Sequence, residues 1–411
     1  MTHRREAIVT RLITVALTAL TAVGAAAPAS AAHIREPTLR ARALLPADAI
    51  APAPFPGAPN TEPAPGPGAV QPVGGFSALL AGGRKDRFWA MPDNGFGNKA
   101  NSRSFLLRVY RVQADFETAK GGSGTAKLLD WITLRDPDRR IPFAIVNGAT
   151  PRRLLTGGDF DVESMRVDRR GDLWFGDEFG PFLLHTDASG KVLEAPIPLP
   201  GVKSPDYPAG FPAPVTGAAN LASSNGFEGT AISRDGRTLY PVLEGPVSGD
   251  DPRVRRVHEF DIGARRYTGR TWRYPVDDPS YLVSDFTALS RGRFLSLERD
   301  NLQGSAARHK QGYVVELPRR TSGTTLAKRP VVDLLDLRDP ALISLPGRPG
   351  DIGLGDPFAM PYVTVEAVLP RPGNRLAVVN DTNFGSTGRN PMLPDPSDFI
   401  VVKVPGIDEA L

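Results

Sequence analysis

The feature that most constrains this chain is a phrase it uses five times. "GFSALLAGGRKDRFWAMPDNGFG" (75–97), "DVESMRVDRRGDLWFGDEFGP" (161–181) and "GFEGTAISRDGRTLYPVLEGP" (226–246) share one plan. "SDFTALSRGRFLSLERDN" (284–301) and "TVEAVLPRPGNRLAVVNDTNFG" (364–385) repeat it. Each copy opens on a small, polar or acidic residue, runs through a short apolar strand and turns at Gly or basic residues. A second apolar strand follows and ends in acids or amides. Further strand pairs come between the copies, as in "FLLHTDASGKVLEAPIPL", where Gly/Asp turns between apolar runs signal hairpins. Helical periodicity is absent once the first residues are passed.

Four strands per unit predict an all-β chain folded as a β-propeller of four-stranded blades. A lone blade cannot bury both faces, whereas blades packed in a ring bury one another. Five units are clear, and the long intervals at 98–160 or 302–363 have room for another. Six blades are therefore expected, with five as the alternative. Gly (42) and Pro (41) are abundant, in keeping with a turn-rich β architecture. "PTLRARALLP" (37–46) reads as a strand that closes the ring by pairing with the last blade. The Pro/Ala/Gly-rich stretch 46–72 reads as an extended linker or long loop, since Pro withholds ladder donors.

The first 31 residues read as a cleavable export signal. Arg4, Arg5 and Arg11 precede or flank "LITVALTALTAVGAAAPA", and Ala29-Ser30-Ala31 fits an A-x-A cleavage site. The stretch is Ala/Thr-rich rather than strongly apolar, unlike a membrane span. The expected organisation is a signal over 1–31, an N-terminal strand and Pro/Ala-rich segment over 32–72, and the propeller over 73–411. A secreted, extracellular protein without a membrane span follows. The chain has no cysteine, so neither disulfides nor a Cys-linked lipid hold it. The formal charge is +4, and cleavage would remove three Arg and one Glu. The remaining basic residues are scattered, which argues against nucleic acid as a partner.

The acids of the repeat fall at two phases. Glu163, Glu228, Asp285 and Glu366 open the first strand, with Ser77 in the equivalent place of the first copy. Asp93-Asn94, Asp177-Glu178, Glu244, Glu298 with Asp300-Asn301, and Asn380-Asp381 close the second. Antiparallel neighbours put the start of one strand beside the end of the next, so both sets are expected to converge at one mouth of the channel. Gathered acids repel and lose solvent, and cations offset both costs. Carboxylate and amide oxygens without Cys suit Ca²⁺, or Mg²⁺, better than Zn²⁺. The expected metal ligands are Asp93, Asn94, Glu163, Glu228, Glu244, Asp285, Glu298, Glu366 and Asp381.

These phrases resemble the secreted phytase-like family, described as "esterase-like activity of phytase". The resemblance rests on Asp93-Asn94-Gly95-Phe96-Gly97, Asp161-Val162-Glu163 and Gly176-Asp177-Glu178-Phe179-Gly180-Pro181. Gly226-Phe227-Glu228-Gly229, Leu243-Glu244-Gly245, Leu297-Glu298-Arg299-Asp300-Asn301 and Val379-Asn380-Asp381 extend it, so that it spans roughly 73–405. It implies a repeat-built domain whose Glu and Asp residues carry phosphoester hydrolysis. Ser77 departs from the pattern of opening acids.

Metal-assisted phosphoester cleavage is thus the expected chemistry, on a small phosphorylated substrate. Glu178 and Glu228 are candidates for proton transfer, with Asp177 beside them in the catalytic set. Arg299, Arg308, His309 and Lys310 follow the fourth acidic strand end and are candidate phosphate ligands. No G-x-S-x-G elbow or phosphate loop is present, which argues against a serine esterase. The alternatives are a metal-dependent lactonase or sugar-acid hydrolase, and a non-catalytic binding propeller stabilised by calcium.

Overall fold

The computed structural model describes residues 36–52, 70–290, 292–318 and 321–407. The expected export signal and most of the Pro/Ala-rich stretch lie outside these residues. The chain is a β-propeller. Its strands are β1 (Thr38–Leu45), the short pair β2 (Ile50–Pro52) and β3 (Val70–Pro72), and then four-stranded units in sequence. Blade 1 holds β4 (Ala78–Ala81), β5 (Arg87–Met91), β6 (Arg108–Asp115) and β7 (Thr125–Thr133). Blade 2 holds β8 (Val162–Val167), β9 (Leu173–Asp177), β10 (Phe182–Thr186) and β11 (Ile197–Pro198). Blade 3 holds β12 (Phe227–Ile232), β13 (Thr238–Leu243), β14 (Val254–Asp261) and β15 (Arg266–Pro275). Blade 4 holds β16 (Leu282–Ser290), β17 (Arg293–Arg299), β18 (Lys310–Glu316) and β19 (Lys328–Asp333).

Blade 5 takes β20 (Thr364–Arg371), β21 (Arg375–Asp381) and β22 (Ser397–Lys403) from the end of the chain. Its fourth strand is β1, which pairs antiparallel with β22 from Thr38↔Lys403 to Leu45↔Ser397. The N-terminal strand thus closes the last blade, as its sequence suggested. Arg42 on β1 secures the join with a buried ion pair to Asp398 at 2.9 Å. β1 also meets β7 of blade 1 at Leu44↔Thr125, so blades 5 and 1 form one continuous sheet.

The four-stranded units number five among the described residues, which is the alternative rather than the preferred count of six. The intervals thought to hide a sixth contain β6–β7 and β18–β19, each followed by irregular chain. One device pins both irregular stretches: Asp136 accepts from the backbone N–H of Arg140 and Ile141, and Asp339 from Ile343 and Ser344. The two aspartates sit in matching "LRDP" phrases at 134–137 and 337–340. Loop chemistry, not a further blade, fills this length. β2 pairs with β3 from Ile50↔Pro72 to Pro52↔Val70, so the described residues on either side of 53–69 are paired with each other.

The first strands β4, β8, β12, β16 and β20 touch one another in cyclic order around the axis. Apolar side chains fill the spaces between blades: Val162, Phe175 and Phe182 lie with Ala78 and Met91 of blade 1, and Val242 and Trp272 lie with Phe286 and Phe294 of blade 4. The axis itself is crossed by polar links. Arg166 on β8 reaches Asp285 on β16 at 2.8 Å, and Asp285 accepts the N–H of Val368 on β20. The "GFEG" phrase of blade 3 owes its glycines to close approach. A Cβ on Gly229 would lie 2.7 Å from the backbone N of Phe286, and one on Gly226 would lie 2.4 Å from Cα of Glu178. No helix among the described residues is long and apolar enough to cross a membrane.

A chain that begins after Leu45 lacks the strand that closes blade 5. Its thermal melt, followed by circular dichroism, is expected to lose the single cooperative transition of the full chain. A truncated protein that melts as sharply and as late as the full chain would contradict this closure.

Candidate metal centre at the channel mouth

The acids reach the mouth through a repeated local irregularity. In blade 2 the pairing of β8 with β9 steps from Val162 to Ser164, leaving Glu163 as an extra residue; blade 3 skips Glu228 and blade 5 skips Glu366 in the same way. Such a bulge takes its residue out of the ladder and re-aims the side chain. Blade 4 has the same bulge, but at Ser284. Asp285 is one residue further on and belongs to the axial link with Arg166, so the structure does not bring this expected ligand to the mouth. The sequence reading set Asp285 level with Glu163, Glu228 and Glu366, whereas the strand register places it one residue beyond them.

The second set behaves likewise. Val162 pairs with Asp177, Phe227 with Leu243, Val283 with Glu298 and Val365 with Asn380. The next residue in each case is Glu178, Glu244, Arg299 and Asp381. Blade 4 therefore presents Arg299 where blades 2, 3 and 5 present an acid. Its Nη2 lies 3.1 Å from Glu244, 3.2 Å from Glu366 and 3.9 Å from Glu228. Glu298 turns away and pairs instead with Lys328 and the hydroxyl of Tyr274. Lys328 also holds Asp277 at 2.8 Å, so a lysine already neutralises the cluster of Asp277, Glu298 and His309.

Four sets of side chains among the described residues converge closely enough to grip an ion, and two of them are built from the acids of the mouth. Glu163, Glu178 and Glu228 present oxygens within 4.8 Å of one another, and so do Asp93, Asp161 and Glu163. Asp161 is a member the sequence reading quoted but did not place among the ligands; its signal is that it stands two residues before the bulged Glu163. Asn94, an expected ligand, uses its Nδ2 to donate to Asp161 at 2.8 Å and so orients that carboxylate. The Oε1 atoms of Glu178 and Glu228 are buried and have no hydrogen-bond partner.

Burial and mutual repulsion hold these carboxyls well above their ordinary range. For Glu163 burial is the larger cause, followed by the charges of Glu228, Asp161 and Asp93. Glu178 and Glu228 are raised in the same way, by burial and then by Glu244 and other neighbours. Burial and Asp381 push Glu366 up to about 8, against the opposing pull of Arg299. Arg299 is itself buried, but Glu366, Glu244 and Glu228 keep it firmly charged. Asp177 is different. Burial raises it to about 7, yet its two oxygens accept the N–H groups of Asp161 and Gly180. Those bonds hold the turn that carries Glu178.

The basic residues expected to bind phosphate separate. Lys310 is buried and donates to Asp300 at 2.6 Å and to the carbonyls of Leu302 and Val363. Arg308 donates to the carbonyls of Ser305 and Ala307 in its own loop, and His309 stacks on Tyr281 at 4.1 Å. Only Arg299 of the four stands among the carboxylates. It also lines a cavity of about 540 Å³ with Asn225, Glu244, Asn301, Gln303 and Asn383. Another cavity, of about 400 Å³ beside Tyr240 and Trp272, opens at the far end by the Ser233–Thr238 turn and does not meet these acids.

A ring of sheets with an acidic mouth, whose candidate ligand atoms are carboxylate oxygens, defines the class of protein: a β-propeller with a candidate site for a hard cation. Residues 71–384 match the phytase-like family, described as "esterase-like activity of phytase", and the chain belongs to that family. A curated relative from Arthroderma benhamiae, named only as an uncharacterized secreted protein, is 27% identical over 295 residues. That match covers 54% of this chain and 56% of the relative, so the chain spans about half the length of the relative. Among solved structures, the PQQ-bound aldose sugar dehydrogenase from Streptomyces coelicolor is 12% identical with a TM-score of 0.32, covering 81% of this chain and 84% of that one. The Cps50 (Swd1) β-propeller domain from Myceliophteria thermophila is 11% identical with a TM-score of 0.25, covering 53% and 48%.

Two predictions follow from the charges. The folded protein binds protons at these carboxyls more tightly than the unfolded chain, so cation-free stability falls as pH rises. Taking Glu366 as the guide, the loss runs from about 4.5, its ordinary value, to about 8. Denaturant unfolding without added cation is expected to lose about 2–5 kcal/mol across that window, and calcium is expected to flatten the slope. Separately, Asp285→Ala leaves Arg166 without its partner and is expected to cost about 3–5 kcal/mol while calcium binding at the mouth is kept. Loss of calcium binding with stability intact would return Asp285 to the ligand set.

Proposed function

We propose that this protein is a secreted, divalent-cation-dependent phosphoester hydrolase that acts on a small phosphorylated compound at the propeller mouth. The observation that carries the reading is the convergence of Asp93, Asp161, Glu163, Glu178 and Glu228 around shared points, with two buried oxygens that accept no hydrogen bond. Family membership supports the ester chemistry. The sequence signal and the name of the relative support export.

The donor set fits a hard cation. All candidate ligands are carboxylate oxygens, and calcium takes six to eight oxygens in flexible geometry at about 2.3–2.6 Å. When bound, such an ion neutralises phosphate oxygens and acidifies water. The chain's own groups supply the rest. Arg299 offers positive charge beside the cavity, and the carboxamides of Asn225, Asn301, Gln303 and Asn383 offer donors and acceptors that orient a polar substrate. Burial and then the charge of Glu244 hold the carboxyls of Glu178 and Glu228 above their ordinary range, and a divalent ion among them would draw both into the ionised, ligating form. Asp177 serves by holding the turn rather than by touching substrate.

The test is hydrolysis of a generic phosphomonoester, a phosphodiester and a lactone, each with calcium and with chelator. The expected result is phosphoester turnover that chelation abolishes and calcium restores. Glu228→Gln is expected to lower kcat by about 10²-fold or more while the melting temperature changes little. Lactone turnover with no phosphoester turnover would replace this reading by the sugar-acid hydrolase alternative. Calcium binding with no turnover of any ester would leave a calcium-stabilised binding propeller.

A further inference from the structure

The two ligand groups at the mouth have one member in common, Glu163. We propose that the mouth holds two divalent cations bridged by Glu163, one among Glu163, Glu178 and Glu228 and the other among Asp93, Asp161 and Glu163. Arg299 takes the place of a cation in the rest of the collar. The inference rests on the divalent-cation reading given above and not on the reaction assigned to the site.

The spacing is that of ion shells. Ligands on opposite sides of an ion at about 2.3–2.6 Å are about 4.6–5.2 Å apart, and each group keeps its oxygens within 4.8 Å. A carboxylate has two oxygens, so Glu163 can serve a neighbour on either side. The first group has oxygens ready: Oε1 of Glu178 and of Glu228 are buried and accept no hydrogen bond, although Oε1 of Glu228 feels Arg299 at 3.9 Å. In the second group the backbone N–H of Gly95 occupies Oδ1 of Asp93, which leaves its Oδ2 available. Asn94 fixes Asp161 from the side through its backbone N–H and its Nδ2.

Charge favours two ions over one. The two groups together bring five carboxylates, whose negative charge a single divalent ion would leave largely unmatched and a pair would nearly cancel. The opposite part of the collar needs no ion of its own, because Arg299 already sits between Glu244 and Glu366 at 3.1 and 3.2 Å. The substitution of arginine for an acid in blade 4 therefore confines the cations to the side of blades 1, 2 and 3.

Calcium binding decides the matter, measured by calorimetry on the purified protein and by metal content after gel filtration. Wild type is expected to hold two ions. Asp93→Asn and Glu178→Gln are each expected to hold one, and Glu163→Gln is expected to lose affinity at both sites by at least tenfold. One ion in wild type overturns the bridged pair and leaves the single-cation hydrolase reading standing. Weakening of only one site in Glu163→Gln also overturns it. No binding at all overturns both readings. Circular dichroism melts show which variants are folded, and the wild-type count is decisive without them.

Discussion

Repulsion among buried carboxylates is the constraint around which this molecule is organised. Glu163, Glu178, Glu228, Glu244, Glu366 and Asp381 are nearly inaccessible to water and lie within reach of one another's charge. Like charges in such a setting are tolerated only with protons, cations or a paired guanidinium. The protein uses the last of these at Arg299. Everything else serves to hold the acids in place against their own repulsion: the bulges that re-aim the glutamates, the turn secured by Asp177 and the Arg166–Asp285 link across the axis.

The repeat made the fold legible. Alternating apolar strands and Gly/Asp turns return five times, and each return corresponds to one blade. The blade number was harder to read, because loop length imitates blade length. The stretches after β7 and β19 carry no strand alternation, yet they are ordered by Asp136 and Asp339 through bonds to backbone N–H groups. Such local side-chain bonding has a sequence trace, the shared "LRDP", but it is too short to stand out before the geometry is known.

The site was legible as a set and less so by member. Glu163, Glu228, Glu366, Glu178, Glu244, Asp93 and Asp381 could be gathered from their phase in the repeat. Asp285 and Glu298 share that phase in the written sequence and not in space. Blade 4 has its bulge at the same register as blades 2, 3 and 5, but Ser284 occupies it and Arg299 follows the last paired residue, so Asp285 and Glu298 each stand one residue out of step with the acids of the mouth. The basic cluster after Arg299 misled for a related reason. Lys310 looks like a surface charge in sequence, but it is buried against Asp300 and three backbone carbonyls.

The seam between β1 and β22 fixes an order of events. Arg42 and Asp398, which meet there, are 356 positions apart in the chain. The first of the described strands has its antiparallel partner among the last, so that edge of β1 stays open while the intervening sheets assemble, although its other edge can already meet β7. Glu366 and Asp381 are on the two strands of that same final blade. A nascent or clipped polypeptide therefore cannot assemble the whole acidic ring early, and a finished mouth reports that both termini of the fold have arrived.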